Sequence, residues 1–149
     1  MLNRDWVGLV DFSAPSGQPR FQIVDINNGR VLTNLLVAHG RGSDPGNTGV
    51  LQRFSNRAGS NASSGGAFLI GDTYFGKYGR SRRVHGLEPQ NDQAFARAIV
   101  IHSADYVSDN MARASGRVGR SLGCFTVSHG DISEVLALLG QGRLLLADR

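Results

Sequence analysis

The sequence predicts a mostly β, single-domain fold with one or two short helices, and three observations carry that prediction. Apolar and polar residues alternate along the first forty positions at the period of strands. Twenty glycines in 149 residues make the chain turn-rich. Sustained helical spacing of apolar residues occurs in one segment only, near the C-terminus. A chain of this length buries roughly 70% of the surface it exposes when unfolded, so its core needs no covalent staples. No repeat, linker or break in composition divides residues 1–149, which read as one domain.

The elements follow in order. Val7-Gly8-Leu9-Val10-Asp11-Phe12 and Phe21-Gln22-Ile23-Val24-Asp25-Ile26 are strands separated by a turn rich in proline, serine and glycine. Asn28-Gly29 is a hairpin turn, and residues 30–38 return as a third strand, giving a β-meander. Residues 40–66 are a long glycine-, serine- and asparagine-rich loop, broken by one strand-like patch at 50–54; a loop of that length in a compact domain points to a site. Residues 67–71 resume a strand that Thr73-Tyr74-Phe75 extends, and 76–83 read as a glycine- and arginine-rich connection. One or two helical turns are expected over 91–97, a buried strand over 98–101, and weak helix over 104–114. Ser128, with Asp131 three residues on, starts the clear helix; Ile132, Val135, Leu136 and Leu139 form its apolar face and Gly140 its stop. Leu144-Leu145-Leu146 close the fold as a last strand.

Composition excludes several classes of function. Forty per cent apolar and 19% charged residues are not those of a disordered chain, and no run approaches the ~20 apolar residues of a membrane span. The net charge of +4 favours anionic partners, but the basic residues are scattered apart from Arg80/Arg82/Arg83. Without an aromatic-interleaved basic motif, nucleic acid is not an expected partner. Cys124 is the single cysteine, which rules out an intramolecular disulfide and a cysteine-built zinc cluster. The four histidines have no helical pair spacing and no adjoining glutamate, so no metal site is expected. Residues 1–11 carry Arg4 and Asp5 and no hydrophobic targeting core.

Two runs carry chemistry. Ile99-Val100-Ile101-His102-Ser103-Ala104 puts a histidine at the end of a buried strand; Gly119-Arg120-Ser121-Leu122-Gly123-Cys124-Phe125-Thr126 surrounds the cysteine with small residues. A thiol becomes a nucleophile when a base or a positive field raises its thiolate fraction. Imidazole is the usual base, held in one tautomer by a third group. Gly123 permits close backbone approach, so the N–H groups of Gly123 and Cys124 are candidate oxyanion donors. The default for a lone cysteine is a small core residue, and spacing alone leaves that reading open.

His102-Ser103-Ala104 followed by Ser121-Leu122-Gly123-Cys124 resembles the signature of L,D-transpeptidase catalytic domains, the YkuD-type enzymes that remodel bacterial peptidoglycan. His39-Gly40-Arg41-Gly42-Ser43, Phe54-Ser55-Asn56, Ser63-Ser64-Gly65, Tyr74-Phe75-Gly76-Lys77 and His85-Gly86-Leu87-Glu88 are similar to the murein L,D-transpeptidase branch, in matching order over roughly residues 31–127. The resemblance implies a β-sandwich with a small helical element and a site under a flap. It implies Cys124 as nucleophile, His102 as base and then acid, and the backbone carbonyl of Ser103 as the third member. It implies stem peptides of peptidoglycan as partner, no cofactor and no metal, and substrate contacts from Ser121, Arg120, Tyr74 and Ser64. Cys124 would attack the carbonyl joining meso-diaminopimelate to D-alanine, and the thioester would pass to an amine as a 3→3 crosslink or to water. Two positions depart from the family pattern. Leu122 stands where some relatives carry a second histidine, and Thr126 where many carry an arginine, for which Arg120 is the candidate substitute.

Peptidoglycan lies outside the cytoplasmic membrane, so the resemblance implies a periplasmic or envelope protein whose export signal is trimmed, or an envelope-targeting effector delivered by a secretion system. A catalytically inactive wall-binding module and an L,D-carboxypeptidase are the alternatives of the same fold. A papain-like or NlpC-type peptidase places its cysteine before its histidine, the reverse of the order here.

Overall fold

The structure, a computed structural model, describes residues 5–149; Arg4 and the rest of the chain start lie outside the described residues. Eight strands form one continuous sheet: β1 (Trp6–Asp11), β2 (Phe21–Asp25), β3 (Arg30–Leu35), β4 (Gly66–Gly76), β5 (Gly79–Gly86), β6 (Val100–Ser103), β7 (Phe125–Val127) and β8 (Leu144–Asp148). Their order across the sheet is β3-β2-β1-β8-β4-β5-β6-β7. The expected meander is the antiparallel β1–β2–β3 unit, with a bulge at Ile23/Val24. The C-terminal strand joins the two halves, running parallel to β1 (Leu9↔Leu146) and antiparallel to β4 (Phe68↔Leu145).

The sheet curls so that its ends share one core, which gives the fold its sandwich character. Phe12, just past β1, stacks on Phe125 of β7 at 6.2 Å, and Ala38 N–H donates to Thr126 O at 2.9 Å, bridging the chain after β3 to the far edge. Phe12, Phe21, Phe68 and Phe125 are fully buried here, each stabilising the fold by roughly 1.5–3 kcal/mol relative to exposure. The described residues include two seven-residue helices. Helix α1 (Asp109–Ser115) is capped by Ser108, whose side chain accepts from Met111 N–H, and ends at left-handed Gly116. Helix α2 (Ile132–Leu138) buries Ile132, Val135 and Leu136; its N-cap is Asp131 without a side-chain bond, rather than the Ser128 box expected.

Three local expectations differ from the structure. Residues 79–86 form strand β5, paired to β4 and β6, and not an open connection. Arg82 disguised it: this buried arginine points inward and donates to Gly71 O and to Leu136 O at the end of α2. Residues 91–97 form hydrogen-bonded turns and not a helix. They close with Ala98 N–H on Phe95 O and Ile99 N–H on Ala94 O, a Schellman pattern with Ala98 left-handed at φ 57° where glycine is usual. The patch at 50–54 lies outside any strand because the loop is anchored by side chains instead.

That anchor is a buried polar cluster. Arg20 donates to Val37 O and to His39 Nδ1 (2.9 Å), so His39 must donate Nε2–H to Asp44 Oδ2 (3.0 Å). Asp44 also accepts from the Thr48 hydroxyl and the N–H groups of Thr48 and Gly49. Burial holds His39 neutral by pushing its pKa down, and lowers that of Arg20 to about 10. Burial alone would raise Asp44, but its donors outweigh it and hold the carboxyl at about 2 against an ordinary 3.8. A depressed carboxyl pKa contributes stability that is present above pH ~3.8 and lost as pH falls through about 2, here on the order of 2 kcal/mol. Asp44→Asn is expected to flatten that acid limb; urea unfolding between pH 5 and 2 checks it, and an unchanged limb would contradict the assignment.

Candidate active site

A parallel strand pair needs a crossover of a dozen or more residues. Residues 104–124, including α1, supply one between β6 and β7, with register Ile101↔Phe125, His102↔Thr126 and Ser103↔Val127. Side chains alternate across a sheet, so Ile101, Phe125 and Val127 enter the core while Val100, His102 and Thr126 share the other face. Cys124 lies two residues before Thr126 and so comes to the side of His102. Chain order alone separates the pair by twenty-two positions; the parallel register brings them together.

The turn before Cys124 is tightly tied. Ser121 exchanges backbone bonds with the chain after β3 (Ser121 N–H to His39 O, Arg41 N–H to Ser121 O), and its hydroxyl donates to Cys124 O at 2.8 Å. Gly123 has φ 117°, and an added Cβ would meet Ala62 O and Ile99 Cδ1 at 2.7 Å, so only glycine fits. Its N–H donates to Ser121 Oγ at 3.1 Å, which leaves Cys124 as the position whose amide adjoins the sulfur with no such side-chain acceptor.

His102 is 2% exposed, and its Nδ1–H donates to Ser103 O at 2.9 Å. That bond leaves Nε2 with its lone pair free to accept, and the Thr126 hydroxyl donates to it at 3.2 Å. Tyr106 in turn donates to Thr126 Oγ1 at 3.4 Å. Tyr78, at the tip of the β4–β5 hairpin, stacks on the imidazole at 4.3 Å and closes the site from above. Beneath, Ser103 is braced by His129, whose Nδ1 accepts the Ser103 hydroxyl at 2.8 Å while Nε2–H donates to Asp105. Burial chiefly pushes the His102 pKa down, opposed by the Ser103 carbonyl, so the ring is a neutral base at pH 7.

The thiol rests away from the ring. Cys124 Sγ donates to Ala98 O and accepts from Val100 N–H, both at 3.5 Å, with no hydrogen bond to His102. Burial raises its pKa above the ordinary 9.0; the Val100 N–H and the Arg97 charge pull the other way without reversing it. The resting pair is thus neutral thiol and neutral imidazole. Arg97, which sequence reasoning missed, does two jobs here. Its guanidinium clamps the long loop by donating to Ser55 O, Ser64 Oγ, Ser60 Oγ and Ala62 O, and its positive charge acts on the sulfur. No sequence pattern marks that role, since it depends on a loop more than thirty residues away folding back.

Of the other residues named from sequence, Tyr74 lines a hollow with Ala98, Ile99 and Val100, two of which hold the sulfur through their backbone. Ser64 is buried behind the cleft, donating to Ser55 O and accepting from Arg97. Arg120 donates to Asp44 O at 2.7 Å and braces the loop anchor. Thr126 is fully buried on His102. A hollow of about 570 Å³ around Leu9, Pro19 and Leu146 holds neither Cys124 nor His102, so chemistry and not volume locates the site. Among the described residues no group of histidine, cysteine and carboxylate side chains is arranged to hold a metal.

A tautomer-locked imidazole on β6 and a buried thiol immediately before β7 thus bring the histidine and cysteine of the two sequence runs to adjacent parallel strands of a curled sheet. The sequence matches the L,D-transpeptidase catalytic domain family over residues 2–147, and the chain belongs to that family. No curated protein matches it. Among solved structures its fold is similar to an L,D-transpeptidase from Mycobacterium smegmatis (13% identity, TM-score 0.56, covering 97% of this chain and 59% of that one). It is likewise similar to the L,D-transpeptidase LdtMt1 in complex with imipenem (14%, 0.57, 97% and 59%). A third is the helical cell shape determining protein Pgp2 from Campylobacter jejuni (11%, 0.62, 97% and 48%). This chain therefore spans half to three fifths of the length of these proteins, and the likeness is one of fold.

The electrostatics predict a pH profile for Cys124. Alkylation by iodoacetamide is expected to rise with an inflection above the ordinary cysteine value. Arg97→Gln is expected to move that inflection upward and Arg97→Lys to restore it. An inflection below 8 in the unaltered protein would contradict a neutral resting thiol.

Proposed function

We propose that the protein is a peptidoglycan-remodelling L,D-transpeptidase acting through a Cys124 thioester. The observation that carries this reading is the β6–β7 register, which presents Cys124 and an Nδ1–H-locked His102 on one covered face. Family membership supports the substrate class, tetrapeptide stems of peptidoglycan.

In the proposed reaction Sγ rotates from Ala98 O toward His102 and attacks the carbonyl joining meso-diaminopimelate to D-alanine. His102 Nε2 takes the thiol proton as the S–C bond forms, displacing the Thr126 hydroxyl from its lone pair. The Ser103 carbonyl, accepting Nδ1–H, stabilises the imidazolium. Cys124 N–H is the oxyanion donor, since the Gly123 N–H is engaged by Ser121; release of Gly123 N–H from Ser121 Oγ would supply a second. Collapse of the tetrahedral intermediate breaks the C–N bond, and His102 returns its proton to the departing D-alanine amine. An acceptor amine then attacks the thioester, giving a 3→3 crosslink, or water attacks and frees the tripeptide. Tyr74 is the substrate contact, while Ser121, Ser64 and Arg120 hold the walls of the cleft. No cofactor enters these steps. A peptidoglycan substrate, which lies outside the cytoplasmic membrane, supports a periplasmic or cell-envelope location.

Two variants separate the groups. With tetrapeptide fragments, mass spectrometry is expected to detect D-alanine release by the unaltered protein and none by Cys124→Ala. Dimers identify crosslinking and tripeptides identify trimming. Ser103→Ala keeps the backbone carbonyl and is expected to retain activity within about tenfold. If the unaltered protein leaves the fragments intact and its thiol also resists imipenem, the fold serves wall binding without chemistry.

A further inference from the structure

The three strands that lead to Cys124 carry more than the nucleophile. Arg83 of β5 pairs with Val100 of β6, so the two share a face with His102 and Thr126. Tyr74 of β4 pairs with Ser81, two residues from Arg83, and reaches the same face. Their side chains meet: the Arg83 guanidinium lies 4.1 Å over the Tyr74 ring. Tyr74, Arg83 and Phe95 together with Ala98, Ile99 and Val100 enclose a hollow of about 160 Å³. Its floor is the backbone that holds the sulfur, through Ala98 O and Val100 N–H. The hollow therefore begins where a bound acyl group would end.

The donor inventory of this hollow is unusual. Arg83 has five N–H donors in a rigid fork, and Nη1 alone is engaged, by Asp72 Oδ2 at 3.0 Å. Its Nε and Nη2 groups take no acceptor among the described residues. Both partners of that ion pair are partly exposed, a setting in which such pairs are weak, so Asp72 orients the fork without neutralising it. Stacking on Tyr74 fixes the guanidinium plane. Phe95, half-exposed and stacked on His85 at 5.0 Å, forms an apolar wall on the other side. A planar cation with two open donors, set beside an apolar wall, is the recognition geometry of a carboxylate on a short aliphatic stem.

We propose that this hollow is the carboxylate-binding subsite for the acyl-donor stem, with Arg83 as its anchor, Asp72 as a positioning residue, and the Tyr74 and Phe95 rings as the walls that touch the stem. The proposal rests on the transpeptidase reading for the identity of the substrate. The stem offers two free carboxylates near the scissile bond, on the D-alanine terminus and on the far end of diaminopimelate, and both have the chemistry the fork recognises. Arg83 thereby supplies the substrate-holding cation whose position two residues after the cysteine is occupied by Thr126.

Calorimetric binding to the Cys124→Ala protein tests the subsite apart from catalysis. Three peptides are compared: the free-acid tetrapeptide, the same peptide with D-alaninamide, and the same peptide with a diaminopimelate carboxamide. Arg83→Gln added to Cys124→Ala is expected to weaken the free-acid peptide at least tenfold, Arg83→Lys to weaken it less, and Asp72→Asn to tighten it. The amidated peptide that Arg83→Gln no longer affects identifies the carboxylate. If Arg83→Gln binds all three peptides as tightly as its parent does, the subsite is overturned, and D-alanine release by the unaltered protein would leave the transpeptidase reading standing. If none of the three peptides binds, the subsite is likewise overturned, and D-alanine release by the unaltered protein decides the transpeptidase reading separately.

Discussion

The parallel pairing of β6 with β7 is the constraint on which the site depends. A parallel neighbour cannot be reached by a tight turn, so the chain must leave the sheet after Ser103 and return at Phe125. The return sets Ile101 against Phe125 in the core, and that burial fixes the register; a slip of one residue would exchange every core side chain for a site side chain. Phe125, between Cys124 and Thr126, touches both Phe12 and Phe68. The residue that seals the core is thus the one that sets the position of the Cys124 thiol.

Around this pair the molecule places its charges by satisfaction before reactivity. The Arg20–His39–Asp44 cluster is buried, bonded at every ring nitrogen, and anchors the loop from which Ser121 and Arg97 receive their partners. Arg97 links the loop to the sulfur, so the order of residues 55–64 and the field at Cys124 are coupled through one guanidinium. Burial keeps both members of the pair neutral at rest, and the Thr126 hydroxyl occupies the free lone pair of His102. Such an arrangement protects the protein's single cysteine from adventitious oxidation, because the thiolate is the oxidisable form.

How much of this was legible depends on where the signal lies. Residue identity is local, so Cys124, Gly123 and His102 stand out as rare types in small-residue runs, and β1–β3 announce themselves by alternation. Strand β5 was hidden because Arg82 breaks the alternation; its inward guanidinium becomes acceptable only once Gly71 and Leu136 offer carbonyls from other elements. The left-handed Ala98 carries no glycine to mark it. Arg97, Tyr78 and Thr126 are ordinary residues in the chain and acquire roles only when a loop, a hairpin tip and a parallel register bring them to the thiol and imidazole. The fold class was readable from patterning, while the electrostatics of the site were not, since they depend on burial.

The central claim is that His102 deprotonates Cys124 during attack and that no stored thiolate exists. The most direct measurement is the rate of Cys124 acylation by imipenem at pH 7, comparing the unaltered protein with His102→Asn. A positioned general base contributes roughly 10²–10⁴-fold, so the account predicts a loss of that order, recovered in part as pH rises and hydroxide replaces the imidazole. Equal rates for the two proteins at pH 7 would contradict it and assign the thiol's reactivity to the field of Arg97 alone.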